Sequence, residues 1–173
     1  MAVRLFIEEM LTYLLDNLFV LAVLFVGCMG IGAMIGCLKK EQSRKKNFAW
    51  ALFVCYVYML FEITIFSREP GSIRVIHLIP FSTFHYKRLT VQNILLFLPF
   101  GFFYGVLTGE KVRKPGLCLL VGAGSSVLIE LLQYYTARGG SEIDDVITNT
   151  LGMMLGFMLF KGWKWIGALL RNK

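Results

Sequence analysis

The sequence has few charged residues, and this scarcity already indicates its class. Only 17% of its 173 residues are Asp, Glu, Lys or Arg, whereas 57% are hydrophobic, and the mean hydropathy is +0.65. Because soluble domains carry about a quarter charged residues, a soluble globular protein is excluded. Apolar runs long enough to cross a bilayer recur along the chain. The composition therefore predicts one transmembrane domain over residues 1–173.

Familiar catalytic and metal-binding motifs are also missing. The chain has four cysteines, Cys28, Cys37, Cys55 and Cys118. They form no CxxC pair and fall in or beside apolar runs, so they predict neither disulfides nor a zinc site. Neither HExxH, GxSxG, Walker A nor GxGxxG occurs, and we expect no metal and no cofactor. The N-terminus, with one basic residue before two acids and a long apolar run, is not typical of a cleavable signal peptide.

Five hydrophobic segments predict five transmembrane helices. They cover about residues 11–38, 48–66, 91–107, 116–135 and 143–160, the last with an extension to about 170. Twelve of the 18 Lys and Arg residues lie in 39–46, in 108–114 and after 160. The positive-inside rule then places the N-terminus outside and the C-terminus in the cytoplasm. The net charge of +7 therefore indicates topology and contact with anionic lipids, not nucleic-acid binding.

Polar residues inside these apolar segments form the candidate site. A carboxylate at the centre of a membrane helix costs about 2.5–3.5 kcal/mol on insertion scales, and such residues usually face a bundle interior, a cavity or a partner charge. In the predicted topology, four separate helices bring polar groups toward the outer leaflet, namely Glu62, Asn93, Glu130 and Asn149. This clustering favours an outward-facing pocket over an ion path across the membrane.

The last predicted helix places Asp145, Asn149, Gly152 and Gly156 on one face. Glycines let a neighbouring helix approach closely, so this face is expected to point into the bundle. Asn149 then either belongs to a site or forms hydrogen bonds between helices. The segment from Ser141 to Asp144 has the capping-box pattern, which accounts for Asp144 structurally but leaves Asp145 for a site.

Glu130 and Gln133 lie three residues apart and are neighbours on the fourth predicted helix. Either side chain is placed to meet Asn149 or Arg138. Glu130 is then either half of a Glu–Arg pair that neutralises itself or a general acid or base.

The outer segment from about residue 67 to 90 is too long for a tight turn, and its IHLIPF run is too short to span the membrane. We expect either an interfacial or re-entrant element over the polar residues, with Phe81, Phe84 and Tyr86 at headgroup depth, or an ordinary amphipathic loop. In the next helix, Pro99 predicts a kink near Leu95 that either widens a cavity or fits the packing.

Several motifs in a fixed order resemble the VanZ-like family. They are His77–Phe81, Asn93–Gly101, Glu130–Gln133 and the segment from Arg138 through the Asp pair to Gly152. The resemblance covers about residues 68–160, with His77 where the family's loop usually has Asn. It implies a small bacterial membrane protein associated with resistance to the lipoglycopeptide teicoplanin, without replacement of the target precursor.

We therefore expect an all-α bundle of five helices in the bacterial plasma membrane, with an outward-facing polar pocket. Arg138 and Arg68 are expected to hold an anionic group such as a lipid phosphate, because guanidinium forks match phosphate oxygens. Asp145 would pair with Arg138 or act as a base. The other expected ligand-binding residues are His77, Asn93, Gln133, Asp144 and Asn149.

The sequence is compatible with three kinds of function. The first is binding of a membrane lipid, a lipid-linked envelope precursor or the acyl chain of the antibiotic. The second is a membrane enzyme that modifies an envelope lipid with Glu130 and Asp145 as acid and base. The third is a structural subunit of a membrane complex.

Overall fold

The computed structural model describes residues 2–39, 44–71, 75–82, 87–108 and 113–171, which are almost entirely helical. The helices are α1 (Ala2–Asp16), α2 (Leu18–Lys39), α3 (Arg44–Phe61, continued by a π-helical turn at Glu62–Phe66), α4 (Lys87–Leu107), α5 (Pro115–Thr136) and α6 (Ile143–Arg171). Two short strands, β1 (Ile76–His77) and β2 (Ser141–Glu142), pair in parallel. Helices α3 to α6 are each long and apolar enough to cross a membrane, which confirms an all-α polytopic bundle.

The first predicted span consists of two helices, α1 and α2, which meet at Asn17 with a bend of 70°. The side-chain amide of Asn17 donates to the carbonyl oxygen of Tyr13 at 2.9 Å, the same oxygen that accepts the backbone N–H of Asn17. Such local bonding competes with regular helix geometry and often accompanies bending. The hydroxyl group of Tyr58 in α3 donates to Asn17 Oδ1 at 2.8 Å and fixes the bend against the bundle. The first predicted span, at about residues 11–38, therefore combined the last residues of α1 and nearly all of α2 in one helix, whereas the structure has two.

Glycines bring the backbones of α4 and α6 into direct contact. A Cβ atom on Gly152 would collide with the carbonyl oxygen of Ile94, and one on Gly156 would collide with that of Leu98. Both glycines are buried. The prediction that the glycine face of the last helix points into the bundle is therefore confirmed, and its neighbour is α4.

The contacting residues also show that α4 and α6 run parallel. Asn93, near the start of α4, bonds to Asp145 near the start of α6, whereas Gly105 near the end of α4 packs on Phe160. The strands that precede these helices are parallel as well, with Ile76 opposite Ser141. The order helix–strand–helix thus occurs twice, as α3–β1–α4 and as α5–β2–α6, and the parallel helices agree with the predicted alternation of spans.

Pro99 lies inside α4, which is continuous through it. A proline leaves the carbonyl group four residues earlier, here that of Leu95, without its helical donor. At the neighbouring residue, the hydroxyl group of Tyr56 in α3 donates to the carbonyl oxygen of Leu96 at 2.9 Å. The ring of Tyr56 also packs near that of Phe100. The proline region therefore forms part of the packing between α3 and α4.

Candidate functional site

Polar side chains from α3, α4, α5 and α6 gather at the end of the bundle where β1 and β2 pair. They are Thr64, Arg68, Asn93, Glu130, Gln133, Asp144, Asp145 and Asn149. Five of them, Thr64, Glu130, Gln133, Asp144 and Asn149, expose 8% or less of their surface. Polar groups in a spanning bundle are costly unless they are paired or functional, so this end is the candidate site.

Glu130 is bound to the start of β2. Its Oε2 accepts the backbone N–H of Glu142 at 2.9 Å, and its carbonyl oxygen accepts the hydroxyl group of Ser141 at 2.8 Å. Its other carboxyl oxygen, Oε1, has no hydrogen-bond partner within the described ranges. The predicted contacts of Glu130 with Asn149 or Arg138 are not formed. The chain turns back after α5, and Ser141 and Glu142 of β2 donate to Glu130 instead.

Gln133 reaches across to α3. Its side-chain Nε2 donates to the carbonyl oxygen of Thr64 at 2.9 Å, and Gln133 is 3% exposed. Thr64 lies in the π-helical turn at Glu62–Phe66. Such a turn departs from the regular i to i−4 bonding and is frequent at functional sites. The predicted contact of Gln133 with Asn149 or Arg138 is replaced by this bond.

The side chain of Arg138 binds backbone carbonyl groups at the end of α3. Its Nη1 donates to the carbonyl oxygens of Ile65, Phe66 and Arg68 at 3.2, 2.9 and 2.7 Å. The last carbonyl groups of a helix need donors from outside the helix, and a guanidinium group supplies several. The predicted pairing of Arg138 with Asp145 is therefore corrected: among the described residues, Arg138 forms no salt bridge.

Two hydrogen bonds between side chains join α6 to its neighbours. Asp145 Oδ1 accepts from the amide of Asn93 at 2.7 Å, and the amide of Asn149 donates to the hydroxyl group of Ser126 at 2.9 Å. The second bond favours the interpretation of Asn149 as a link between helices. The oxygens Asn149 Oδ1 and Gln133 Oε1 are buried without a hydrogen-bond partner among the residues that the structure describes, which is uncommon in folded proteins.

Asp144 connects the outer segment to the start of α6. Its Oδ1 accepts the backbone N–H of Phe81 at 2.6 Å, and Phe81 has a positive φ of 66°. The capping-box prediction is wrong, because Ser141 lies in β2, donates its N–H to the carbonyl oxygen of Val75 and directs its hydroxyl group to Glu130. Phe81 thus lies over the N-terminal end of α6.

His77 is not among the buried polar residues. It is exposed in β1, where it pairs with Glu142. The apolar side chains that follow, Leu78, Ile79 and Phe81, are 64–74% exposed. The position of Phe81 at headgroup depth stays a prediction. The predicted partners Phe84 and Tyr86 lie outside the residues that the structure describes.

Two cavities open beside this cluster. The first, of about 300 Å³, lies between α1, the end of α3 and α4, and we call it the polar pocket; residues that line it include Glu9, Tyr13, Ser67, Arg68, Gln92 and Asn93. The second, of about 360 Å³, lies between β1, α5 and α6, and we call it the apolar groove; residues that line it include Leu78, Val127, Glu130, Leu131, Tyr135 and Glu142. Asn93 and Glu130 thus belong to different cavities of one polar cluster.

Arg68 is exposed and lines the polar pocket. Its guanidinium group packs on Gly139, where a Cβ atom would collide with it. Its charge acts on both Glu130 and Asp145, although it forms no salt bridge with either. Sequence reasoning missed several further lining residues, among them Gln92 and Tyr13. Gln92 is a polar residue at the start of an apolar run, which is a usable signal, whereas Tyr13 reaches the site only through tertiary packing.

These features define a polytopic helical membrane protein with a candidate ligand site at one end of its bundle. The sequence profile of the VanZ/LLP1 family matches residues 48–167, and the chain belongs to this family. It is 33% identical over 116 residues to Protein VanZ of Enterococcus faecium, and that match covers 63% of this chain and 71% of the relative. No solved structure matches the chain. The predicted family resemblance is thereby confirmed.

Proposed function

We propose that this protein binds an amphiphilic component of the bacterial envelope at the outer leaflet of the plasma membrane, and that it thereby reduces susceptibility to lipoglycopeptides such as teicoplanin. The observation that supports the proposal is the convergence of polar side chains from α3, α4, α5 and α6 on two cavities, one polar and one apolar. The headgroup of an amphiphile suits the polar pocket, and its apolar chain suits the apolar groove. The relative named Protein VanZ supports the connection with resistance.

In this proposal, Arg68 is the residue that binds an anionic group such as a lipid phosphate. Its guanidinium group lines the polar pocket and makes no hydrogen bond within the described part of the chain, whereas that of Arg138 is occupied by three carbonyl groups. Guanidinium forks bind phosphate oxygens in a bidentate manner. Arg138 then acts as a positioning residue, because it holds the carbonyl of Arg68 itself at 2.7 Å.

A membrane enzyme that modifies an envelope lipid is a second candidate. The observation that favours it is the carboxyl group of Glu130, which lines the apolar groove with one oxygen free of hydrogen bonds among the described residues. A general acid or base must lie within hydrogen-bond reach of the reacting group. Under this alternative, Glu130→Gln or Asp145→Asn abolishes activity in a folded protein. Lipid extracts that do not differ between cells with and without the protein would contradict it.

The test is the inhibitory concentration of teicoplanin in a sensitive Gram-positive host, with vancomycin as the comparison drug. Wild type, Arg68→Ala and Glu130→Gln are compared at matched amounts in the membrane, and Arg4→Ala is the control, since Arg4 forms only an exposed ion pair with Glu8. We expect a rise for teicoplanin that is lost with Arg68→Ala, largely kept with Glu130→Gln and fully kept with the control. No rise with wild type would remove resistance as the function of this protein.

A further inference from the structure

The apolar groove has carboxyl groups in its lining. Its walls are side chains of the spanning helices α5 and α6, among them Val127, Leu131 and Val146. Glu130 and Glu142 also line it, and the described lining residues include no Lys or Arg. A groove of this kind on membrane helices is accessible to acyl chains. The acids in its lining then determine which headgroup would fit.

Glu130 differs from an ordinary acid of a surface cluster because it is 5% exposed. Its Oε2 is held by the backbone N–H of Glu142, so the carboxyl group has a fixed position. Its Oε1 has no hydrogen bond from the described chain, yet it is not among the atoms that are fully shielded without a partner. This oxygen is therefore an acceptor that the groove leaves available to a ligand.

The charges around Glu130 favour a cationic donor. Glu142 and Asp145 both act electrostatically on Glu130, and Arg68 acts on it from the side of the polar pocket. Arg68 forms no salt bridge with these acids in the described ranges. The guanidinium group of Arg68 thus acts on two of these three carboxyl groups, and acid remains in excess around Glu130.

We infer that the apolar groove binds an acyl chain of an aminolipid, whose ammonium group donates a hydrogen bond to Glu130 Oε1. This inference deepens the proposed function and depends on it in one respect, namely that the ligand is an envelope amphiphile. Charge-assisted hydrogen bonds are about twice as strong as neutral ones, so the ammonium group gives selectivity while the chain gives contact area. The phosphate of the same lipid is directed toward the polar end of the bundle, where Arg68 lies.

The test measures lipid retention by the purified full-length protein with native mass spectrometry. The probes are phosphatidylethanolamine, phosphatidylcholine and phosphatidylglycerol, all with two oleoyl chains, which separate an ammonium donor, a cation without N–H groups and an uncharged hydroxyl headgroup. We expect wild type to retain phosphatidylethanolamine about tenfold better than the other two, which corresponds to about 1.4 kcal/mol. Equal retention of the three lipids would overturn the inference.

Variants separate the headgroup from the chain. Glu130→Gln keeps the shape and should reduce the preference for phosphatidylethanolamine to about twofold or less, whereas Glu8→Gln, an exposed carboxyl group of α1 that lines neither cavity, should keep it. Val127→Trp and Leu131→Trp fill the groove from its membrane side, where both residues are 44–47% exposed, and should weaken retention of all three lipids. A preference that survives Glu130→Gln, or full retention in both tryptophan variants, would overturn the inference.

The lipid-retention experiment tests the aminolipid inference separately from the resistance assay. A teicoplanin phenotype without a headgroup preference would overturn the aminolipid inference and leave the proposed function in place. A headgroup preference that depends on Glu130, without a phenotype, would support the inference and remove resistance from the proposed function.

Discussion

At the scale of single residues, the two arginines of the site have different surroundings. Arg138 donates from one nitrogen to three carbonyl groups at the end of α3, whereas Arg68 lines the polar pocket with an exposed side chain. The sequence predicted both as ligand-binding residues because guanidinium forks match phosphate oxygens. Whether an arginine meets a ligand or a helix end depends on the neighbouring backbone, which the pattern of side chains does not reveal.

Replacing Arg138 with alanine removes a guanidinium donor from three carbonyl oxygens, of which that of Ile65 also accepts the backbone N–H of Arg68 at 3.2 Å. Because hydrogen bonds to charged groups contribute about 1.5–3 kcal/mol, we expect the free energy of unfolding to fall by about 2 kcal/mol. Thermal unfolding of the purified protein in detergent measures the change. Arg4→Ala, which breaks an exposed ion pair, is the control and should cost less than about 0.5 kcal/mol. Equal stability of the two variants would contradict a role for Arg138 in holding α3.

The bond between Asn149 and Ser126 can be tested with a double-mutant cycle. Asn149→Ala and Ser126→Ala each remove one side of a 2.9 Å hydrogen bond between α6 and α5. Hydrogen bonds between membrane helices average about 0.6 kcal/mol in such cycles, so we expect a coupling energy near that value. The free energies of unfolding of wild type, the two single variants and the double variant together give this coupling energy. Strictly additive effects would show that the two side chains do not interact in the membrane.

At the scale of elements, the contact between α4 and α6 organises the bundle. Its glycines place main-chain atoms of the two helices against each other, and Phe97, Met153 and Phe157 are fully buried around it. The hydrophobic effect does not drive helices together in lipid. Close packing at small residues, as seen here, is therefore the expected source of helix association. The periodic glycines made this face predictable from sequence. The partner helix was not predictable, because GxxxG patterns occur on three segments.

Gly156→Ala tests this contact with a single methyl group. The new Cβ atom would collide with the carbonyl oxygen of Leu98, so α4 must move away. We expect a loss of about 1–3 kcal/mol in the free energy of unfolding, as for other overpacked cores. Gly162→Ala in the same helix is the matched control, because nothing lies within 4 Å of its added Cβ. Similar melting temperatures for the two variants would contradict the close contact of α4 and α6.

At the scale of the whole molecule, the order α3–β1–α4 is repeated as α5–β2–α6. The two parts meet through the parallel strands, through the parallel helices α4 and α6, and through Gln133 and Arg138, which bind the end of α3. None of these contacts involves the connection between α4 and α5. The two halves are therefore held together by packing and hydrogen bonds across the bundle.

A chain divided between α4 and α5 should still assemble. We expect the two pieces, expressed together in one membrane, to purify together in near-equal amounts through a tag on the C-terminal piece. Spanning helices form individually before they associate, which makes such assembly physically reasonable. Leucine at both Gly152 and Gly156 should abolish the association, because those positions contact the backbone of α4. Recovery of the tagged piece alone, without those substitutions, would contradict the repeated-half architecture.

Most of the fold was predictable from hydropathy, since spans and polar depth depend on local composition. The bend at Asn17 and the π-helical turn at Glu62–Phe66 were not, because both depend on hydrogen bonds that no periodicity reports. For the candidate site, the polar residues of α4, α5 and α6 were found from their apolar surroundings. Their partners were not: Asp144 bonds to the backbone of Phe81, and Gln133 to that of Thr64. Backbone acceptors and donors of distant segments have no signature in the sequence.

The backbone contact of α4 and α6 also has a consequence for how a ligand arrives. Main-chain atoms have no rotamers, so the α4 wall of the polar pocket cannot adjust by side-chain rearrangement at that contact. The opposite wall is α1, which leaves α2 at 70° and is joined to α4 by an exposed hydrogen bond of 2.7 Å between Glu9 and Gln92. We therefore expect a ligand group that occupies the polar pocket to enter it sideways, past α1, and not along the bundle axis from water.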